Sequence, residues 1–327
     1  MPRKSVSGAA DSPIDLTAVT QRTLAAVETH RREDGFARFT AGESRDLYGT
    51  ADAIGILATF DRLDQDVLSR DTLSWSLRSL QRTDGRFVDD SHGVLHATAT
   101  GIGGLFLLGA RPEPPAFLTD MFEVDRVAPF LDGLDWSNPW LASHDAAGLL
   151  AIATMTGVRH PGWWSEYFRW LDLHVDPTTG LWPSSNIGRL EDWPGLFGNL
   201  GCSFHLHFLL RHHGRRIPAA HAVVDTCLDI ASGTEIVFGA NAWGYPQLDW
   251  AYSLARATAQ SGHRAAEATS MLCRLAEALS ASGDVDETDL HTVGAIAALV
   301  AELSAALGEI IVTGEASSPT TDLRPFI

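Results

Sequence analysis

The sequence predicts an all-α fold, a closed α/α toroid of about six helical hairpins. Three observations lead to this prediction. A segment rich in small and apolar residues recurs six times, a more amphipathic stretch precedes each copy, and turns rich in glycine separate the two. Helices that are apolar nearly all round belong inside a fold, and amphipathic helices belong outside. Patterns typical of strands are almost absent, and residues 235–238 are the best short candidate.

The internal repeat is clearest in three segments that superpose without gaps, starting at Tyr48, His96 and His144. Three further copies follow less cleanly in the second half of the chain. The positions taken as equivalent are Thr50, Thr98, Ala146, Cys202, Ala251 and Thr292, in steps of 48, 48, 56, 49 and 41 residues. Each step is long enough for one helical hairpin, so the period favours six hairpins.

The outer helices are predicted from amphipathic stretches such as residues 71–81 and 163–174. Turns between outer and inner helices are indicated by Asp34-Gly35, Asp84-Gly85 and Asp132-Gly133. The last repeat, residues 292–307, is as apolar as the middle ones, whereas an open solenoid needs polar caps at both ends. This pattern favours closure, and an open all-α solenoid is the structural alternative.

The chain divides into three parts by composition. We predict a disordered tail at residues 1–14, a single toroid domain at residues 15–312 and a C-terminal tail at residues 313–327. The most apolar stretch, residues 294–311, is interrupted by Glu302 and Glu309, and we therefore expect a buried helix and no membrane span. No apolar segment follows the basic N-terminus, so a secretory signal is not expected.

Charge and cysteine content exclude several classes of partner. The chain has 24 basic and 41 acidic residues, a net charge of −17 at pH 7, which argues against nucleic acid and anionic membranes. The three cysteines, Cys202, Cys227 and Cys273, are widely spaced and form no CxxC motif, so neither a disulfide framework nor a thiolate zinc site is expected. This pattern fits the reducing cytoplasm. The expected partner is a small-molecule substrate, and the oligomeric state stays open.

One family resemblance emerges from the repeat. The segment LSWSLRSLQRTDGRF, residues 73–87, combines an outer helix with Gln81, Asp84-Gly85 and the aromatic Phe87. It resembles the Q-W type repeat of squalene and other terpenoid cyclases. DLYGTADA from Asp46 and DPTTGLWP from Asp176 are similar to further elements of that superfamily, which includes the β subunits of protein prenyltransferases. The resemblance covers roughly residues 19–306 and implies the toroid far more than it implies a particular reaction.

The N-terminal ends of the inner helices of a toroid converge on one mouth, and this geometry selects the candidate site. Asp249, His96 and His144 are the catalytic candidates, because each lies two residues before an aligned repeat position. Residues expected to bind substrate around the same mouth are Tyr48, Asp52, Asp145, Trp140, Trp193, Cys202, His205, Trp243, Trp250, Tyr252 and His291. The alternative for Asp46, Asp249 and Asp289 is helix capping.

Family motifs for ionisation are incomplete. Class II terpenoid cyclases protonate an alkene with the middle acid of a D-x-D-D element. The closest string here, with Asp284, Asp286 and Glu287, ends in glutamate and lies one turn early, so it is either catalytic or a solvated turn. An aspartate-rich magnesium motif is missing, and neither His92 with His96 nor Cys202 with His205 has a third ligand fixed by the sequence. The sequence therefore assigns no metal ligands and no cofactor, and whether a metal is used stays open.

The fourth repeat carries a long insert at residues 184–199, which supplies Arg189, Glu191, Asp192 and Trp193. Such a loop is expected either to close the mouth as a lid or to be a plain connection.

Three functions from different classes fit the sequence. The first is a terpenoid-cyclase-like lyase or isomerase that uses Asp and His acid-base chemistry on a small apolar isoprenoid-like substrate, by cyclisation, isomerisation, hydration or dehydration. The second is a carbohydrate-active hydrolase or lyase with Asp52 or Asp145 opposite Asp249 as a carboxylate pair. The third is a non-catalytic binding domain, which a shallow centre or one filled by side chains favours.

Overall fold

The structure, a computed structural model, describes residues 12–110, 112–186, 195–239, 242–282 and 286–327. Over these residues the chain is all-α, as predicted, with helices joined by short connections. In chain order the helices are α1 (Thr17–His30), α2 (Leu47–Thr59), α3 (Arg70–Leu80), α4 (Val94–Leu107), α5 (Val124–Asp132), α6 (Pro139–Thr156), α7 (Pro161–His174), α8 (Phe197–His212), α9 (Ala220–Gly233), α10 (Tyr245–Ser261), α11 (Ala265–Ala281), α12 (Leu290–Leu307) and α13 (Thr320–Leu323).

The helices from α1 to α12 alternate between two environments. The even-numbered helices are buried nearly all round, as in α8, whereas odd-numbered helices such as α3 bury one stripe. The predicted outer helices at residues 71–81 and 163–174 are confirmed as α3 and α7. We call the even-numbered helices from α2 to α12 the inner helices and the odd-numbered ones from α1 to α11 the outer helices.

Strands are minimal. β1 (Ile14–Asp15) pairs in parallel with β4 (Ile311–Val312), and β2 (Arg31–Arg32) pairs antiparallel with β3 (Gly35–Phe36). The strand candidate at residues 235–238 was wrong, because Ile236–Phe238 forms a 3-10 turn. Its backbone bonds are local, from the Phe238 amide to the Glu235 carbonyl, and Gly239 then leaves the turn with a φ of +77°.

Each inner helix packs against the next one along the chain, and α12 packs against α2. Small residues allow the close approach. A Cβ placed on Gly148 of α6 would lie 2.9 Å from the Leu95 carbonyl carbon of α4, and one on Gly104 would lie 3.5 Å from Ala51 of α2. The small, apolar composition of the repeat is therefore a requirement of helix packing.

A hydroxyl on the inner helix anchors the aromatic residue that follows the turn. The backbone N–H of Phe36 donates to Thr50 Oγ1 (3.2 Å), and that of Phe87 donates to Thr98 Oγ1 (3.1 Å). In the fourth repeat the Trp182 amide donates to Ser203 Oγ (3.0 Å). Ser203, one residue after the aligned Cys202, is therefore the structural equivalent of Thr50 and Thr98.

The first and last repeats are joined by backbone bonds and an ion pair. The Leu290 amide donates to the Arg38 carbonyl (2.8 Å), and the Thr40 amide donates to the Thr288 carbonyl (3.1 Å). The Arg38 guanidinium also makes a two-pronged pair with Asp289, with both N···O distances 2.9 Å.

The predicted buried helix in the last repeat is confirmed as α12. One stretch of the described residues, Leu290–Ile310, has the length and apolar composition for crossing a membrane, and 61% of its most apolar window is buried in the fold. Glu302, only 2% exposed, is paired with Arg256 of α10.

Residues 313–327, which the sequence sets apart as a tail, pack against the helices. The Ser318 amide donates to the Thr59 carbonyl at the end of α2 (2.8 Å), and α13 contacts α2, α8 and α12. Phe326 and Ile327 are 1% and 6% exposed, as buried as core residues of the inner helices.

The backbone contact at Gly49 gives a test of this packing. A Cβ on Gly49 would lie 2.3 Å from the Ala37 carbonyl carbon, so Gly49→Ala is expected to lower the free energy of unfolding by about 1–3 kcal/mol. The control is Gly233→Ala in α9, where nothing lies within 4 Å and alanine favours the helix. Urea unfolding of both variants checks this, and equal stability of the two would contradict the packing.

Candidate functional site

The first two turns of four inner helices bring predicted site residues into one cluster. His96 of α4 lies between Tyr48 of α2 and His144 of α6, with ring centroids 5.8 and 4.5 Å away. His291 of α12 lies 5.1 Å from Tyr48 on the other side. The predicted convergence of side chains from Tyr48 to His291 is therefore present between these helices. We call this group, with Asp52, Asp249 and the residues below that touch it, the mouth cluster.

A short hydrogen bond links two members of the mouth cluster. The Tyr48 hydroxyl lies 2.6 Å from Nδ1 of His96, and both side chains are buried. His92, in the turn before α4, stacks on His96 with centroids 4.5 Å apart and planes within 13°. Tyr48 therefore fixes the orientation of the His96 ring and ties its Nδ1, which leaves Nε2 for other contacts.

A carboxylate orients the imidazole on α12. Oδ2 of Asp52 lies 2.9 Å from Nδ1 of His291, and the Tyr245 hydroxyl lies 3.1 Å from the same nitrogen. This contact fixes the orientation of the His291 ring through its Nδ1 and leaves Nε2 for other contacts. The arrangement is that of a carboxylate-held base.

Asp249 of α10 is buried without a partner. Its side chain is fully buried, and neither carboxyl oxygen has a hydrogen-bond partner among the described residues. Gly201 of α8 faces it, since a Cβ there would lie 3.1 Å from Oδ2 of Asp249 and 2.4 Å from the Trp140 ring. Burial raises the pKa of Asp249 well above its usual range, which favours the protonated acid.

Helix capping explains two of the three aspartates for which it was the alternative, and Asp249 is the exception. Asp46 and Asp289 are N-caps, accepting from the amides of Gly49 (2.8 Å) and His291 (3.0 Å). The N-cap of α10 is Gly244, and Asp249 lies more than one turn inside the helix. Capping therefore accounts for Asp46 and Asp289 and leaves Asp249 unexplained.

The histidines of the site are held neutral. Burial first, and the nearby His291 and Arg38 second, lower the pKa of His92 to about 4. Burial first, and the neighbouring histidines second, lower the pKa of His96 and of His144 well below the usual range. All three are therefore unprotonated imidazoles at pH 7, the form that accepts a proton.

Three further predicted residues lie at the same end of the fold. His205 bonds to Ser143 Oγ through Nδ1 (2.9 Å), lies 5.1 Å from the Trp140 ring, and has its pKa lowered to about 3 by burial. Asp145 on α6 is half-buried, and its burial raises its pKa. Cys202 is fully buried, and burial raises the pKa of its thiol, so it is not a thiolate.

The remaining predicted residues are not brought into contact with the mouth cluster. Trp250 turns outward, and its indole donates to the Cys227 carbonyl in α9 (2.7 Å). Trp243 packs on Gly239 in the connection before α10. Tyr252 lies beside Phe204, with the Arg256 guanidinium 5.4 Å from its ring.

Two predictions fall wholly or partly outside the described residues. Trp193, with Arg189, Glu191 and Asp192 of the proposed lid, lies in the undescribed range 187–194, and Asp284 lies in 283–285. Asp286, the next acid of that string, is exposed and accepts from the Thr288 amide (2.9 Å), as in a solvated turn.

Sequence reasoning missed two residues at the centre. The Phe326 ring lies 5.0 Å from that of His96, and Arg324 is 2% exposed beside Asp52. Their only sequence signal is the composition of residues 324–327, RPFI, which is too apolar for a solvated tail.

Among the described residues, no group of three or more His, Cys, Asp or Glu side chains is arranged to hold a metal ion. The histidines of the mouth cluster contact one another by stacking and edge-to-face packing. What the cluster offers chemically is the unpartnered carboxyl of Asp249, the carboxyl of Asp52 bound to His291, three neutral imidazoles and the faces of Trp140 and Tyr48.

The burial of Asp249 predicts a pH-dependent stability. A raised pKa in the folded state means that the folded chain keeps a proton which the unfolded chain releases above about pH 4, so this group's contribution to stability falls as pH rises. Asp249→Asn abolishes this titration. Its unfolding free energy relative to wild type is therefore expected to rise between pH 5 and 8, by up to about 1.4 kcal/mol per pH unit.

Asp286→Asn is the matched control, because this carboxyl is exposed and its hydrogen bonds to Thr288 lower its pKa, which leaves both states ionised in this range. Urea unfolding at four pH values gives the comparison. A constant difference between Asp249→Asn and wild type would mean that Asp249 is ionised and paired in the folded state.

Comparison with known proteins identifies no family for this chain. The sequence matches no family model and no curated protein. The resemblance to terpenoid cyclases thus depends on the repeat elements of this chain alone.

Proposed function

We propose that this chain is an acid-base enzyme, a terpenoid-cyclase-like lyase or isomerase, that acts on a small apolar isoprenoid-like substrate. The observation that carries the proposal is Asp249, a fully buried carboxyl without a hydrogen-bond partner among the described residues. The position of a Cβ on Gly201 lies close to both Asp249 and the Trp140 ring, and the centroid of that ring lies 5.2 Å from that of His144. An unpaired buried acid is costly to a fold, and such groups concentrate at functional sites. The proposed compartment is the cytoplasm, and the proposed partner is this small molecule.

The proposal includes a closed α/α toroid as the scaffold. Its support is the packing of α12 on α2, which continues the neighbour-to-neighbour contacts of the inner helices. The Q-W resemblance is supported by Gln81, whose side-chain amide donates to the Gly85 carbonyl (2.8 Å) and so holds the turn before Phe87.

The proposed reaction begins with proton transfer from Asp249 to a carbon–carbon double bond of the substrate. The alkene electron pair forms the new C–H bond, and a carbocation remains on the adjacent carbon. Aromatic faces of Trp140 and Tyr48 stabilise this positive charge. A neutral imidazole, His96 or His144, then removes a proton from a neighbouring carbon, and the C–H electron pair forms the shifted double bond.

The same cation has other fates that the proposal accommodates. Attack by an internal alkene gives cyclisation, and addition of water gives hydration. Dehydration uses the same groups on an alcohol: Asp249 protonates the hydroxyl, which leaves as water, and a neutral imidazole then removes a proton from the neighbouring carbon, whose C–H electron pair forms the double bond. His291, oriented by Asp52, is a third base in the mouth cluster.

One observation favours a second candidate, a non-catalytic binding domain. Phe326 and Ile327 are buried at the centre of the fold, and Phe326 contacts the face of the mouth cluster at His96. A centre filled by the chain's own side chains is what a scaffold would have. The two candidates differ in whether the fold turns over a substrate.

Activity assays separate these candidates. The purified chain is incubated in D2O with a panel of prenyl alcohols, prenyl diphosphates and, for the carbohydrate alternative, oligosaccharides, and products are analysed by mass spectrometry. Proton addition to an alkene places deuterium on carbon. Asp249→Asn and His96→Ala are expected to reduce turnover by about 100-fold or more, since each removes a proton-transfer group.

The control is Asp229→Asn, an exposed carboxyl on the outer helix α9, which is expected to leave turnover unchanged. Full activity in both Asp249→Asn and His96→Ala would reject the assigned roles. Turnover of oligosaccharides alone would replace the proposal by the carbohydrate alternative, and no turnover of any substrate would favour the binding domain.

A further inference from the structure

Residues 318–327, here called the plug segment, run from the C-terminal ends of the inner helices to the mouth cluster. At one end the hydroxyls of Thr320 and Thr59 lie 2.6 Å apart, at the last residue of α2. At the other end the Phe326 ring meets His96 edge-on, with centroids 5.0 Å apart. The plug segment therefore passes between the inner helices from one end to the other.

The entrance of the plug segment is held by polar contacts. The Thr321 carbonyl accepts from Nε2 of His212 at the end of α8 (2.7 Å). Asp322 accepts from Arg256 of α10 (2.9 Å) and lies 3.4 Å from Arg211 of α8. The carboxylate of Asp322 is 41% exposed, so these ion pairs are accessible to water and salt.

The inner part of the plug segment occupies space that glycines leave open. A Cβ on Gly55 of α2 would lie 3.3 Å from Nη2 of Arg324, and one on Gly103 of α4 would lie 3.5 Å from its Cδ. Beyond it, Ile327 and Arg324 share with Asp52 a cavity of only about 10 Å³. With the plug segment in place, this part of the centre has room for at most about one water molecule.

The side chains of the plug segment have opposite effects on the stability of its buried position. Phe326 and Ile327 gain from burial, whereas Nε and Nη1 of Arg324 are buried without a hydrogen-bond partner among the described residues. A buried guanidinium with two nitrogens left unbonded is disfavoured, and the charge of the nearby Asp52 offsets this cost only in part. A permanent core element would place an apolar side chain at this position, so Arg324 weakens an otherwise apolar seal.

We propose that the plug segment is a resident competitor for the substrate. Phe326 and Ile327 fill the volume that a branched apolar chain occupies, and the segment withdraws past the ends of α2 and α8 before a ligand reaches Asp52 and His96. The ligand class, a branched apolar hydrocarbon chain, rests on the proposed function. The withdrawal itself rests only on the placement of the segment.

Two substitutions are expected to shift the equilibrium between the inserted and the withdrawn plug segment in opposite directions. Phe326→Ala removes the apolar anchor, and we expect at least tenfold tighter binding of the neutral apolar dye Nile red and faster amide hydrogen exchange in residues 318–327. Arg324→Met replaces the unpaired cation by an apolar chain, and we expect at least threefold weaker dye binding and slower exchange. The control is Phe106→Ala, an exposed aromatic at the end of α4, which is expected to match wild type.

The opposite order of the two variants would overturn the proposal. So would exchange in residues 318–327 that occurs only with global unfolding in wild type and in Phe326→Ala alike. Circular dichroism of each variant establishes that the helices are intact.

A covalent clip provides a test in a chain that keeps the whole plug segment. The facing hydroxyls of Thr59 and Thr320 suit a cysteine pair, Thr59→Cys with Thr320→Cys, added to Phe326→Ala. Oxidation is expected to abolish the gain in dye binding, and reduction to restore it. Unchanged binding in the oxidised form would contradict withdrawal.

Dye binding requires no turnover, so the two proposals fail separately. If turnover depends on Asp249 but the plug segment is immobile, only the plug proposal is refuted. If the plug segment is mobile but no substrate is turned over, only the proposed function is refuted.

Discussion

The contact between the first and the last inner helix is the constraint on which the rest of the structure depends. Asp52 of α2 and His291 of α12, 239 residues apart, approach to 2.9 Å. Beside this contact the Leu290 amide donates to the Arg38 carbonyl. Because α12 lies against α2, side chains that are distant in sequence are buried near one another between the inner helices.

This burial changes the protonation of the side chains that lie there. Removal from water favours the neutral forms, so it raises the pKa of Asp249 and lowers those of His96 and His144. The site therefore holds a protonated acid and unprotonated bases at the same pH, which water would not allow. The same buried region holds the plug segment, whose Phe326 ring packs on His96.

The helices were predictable because burial imposes a local pattern: small and apolar residues on inner helices, one apolar stripe on outer ones. The mouth positions of His96 and His144 followed from the same repeat. Side-chain direction did not follow, since Trp250 sits next to Asp249 in sequence yet faces α9. The placement of Arg324 depends on contacts with α2 and α4 far away in the chain, which no local pattern encodes.

The most direct test of the account is a disulfide between α2 and α12. A Cβ on Gly294 would lie 3.8 Å from that of Asp52, a spacing typical of disulfides. The variant Asp52→Cys with Gly294→Cys, in a chain with Cys273→Ser, is oxidised and digested, and the linked peptides are identified by mass spectrometry. We expect the cross-link in the folded monomer and none in a control with Asp52→Cys and Gly233→Cys. Failure of the first pair to cross-link, with the helices intact, would show that α12 does not lie against α2 and would remove the site.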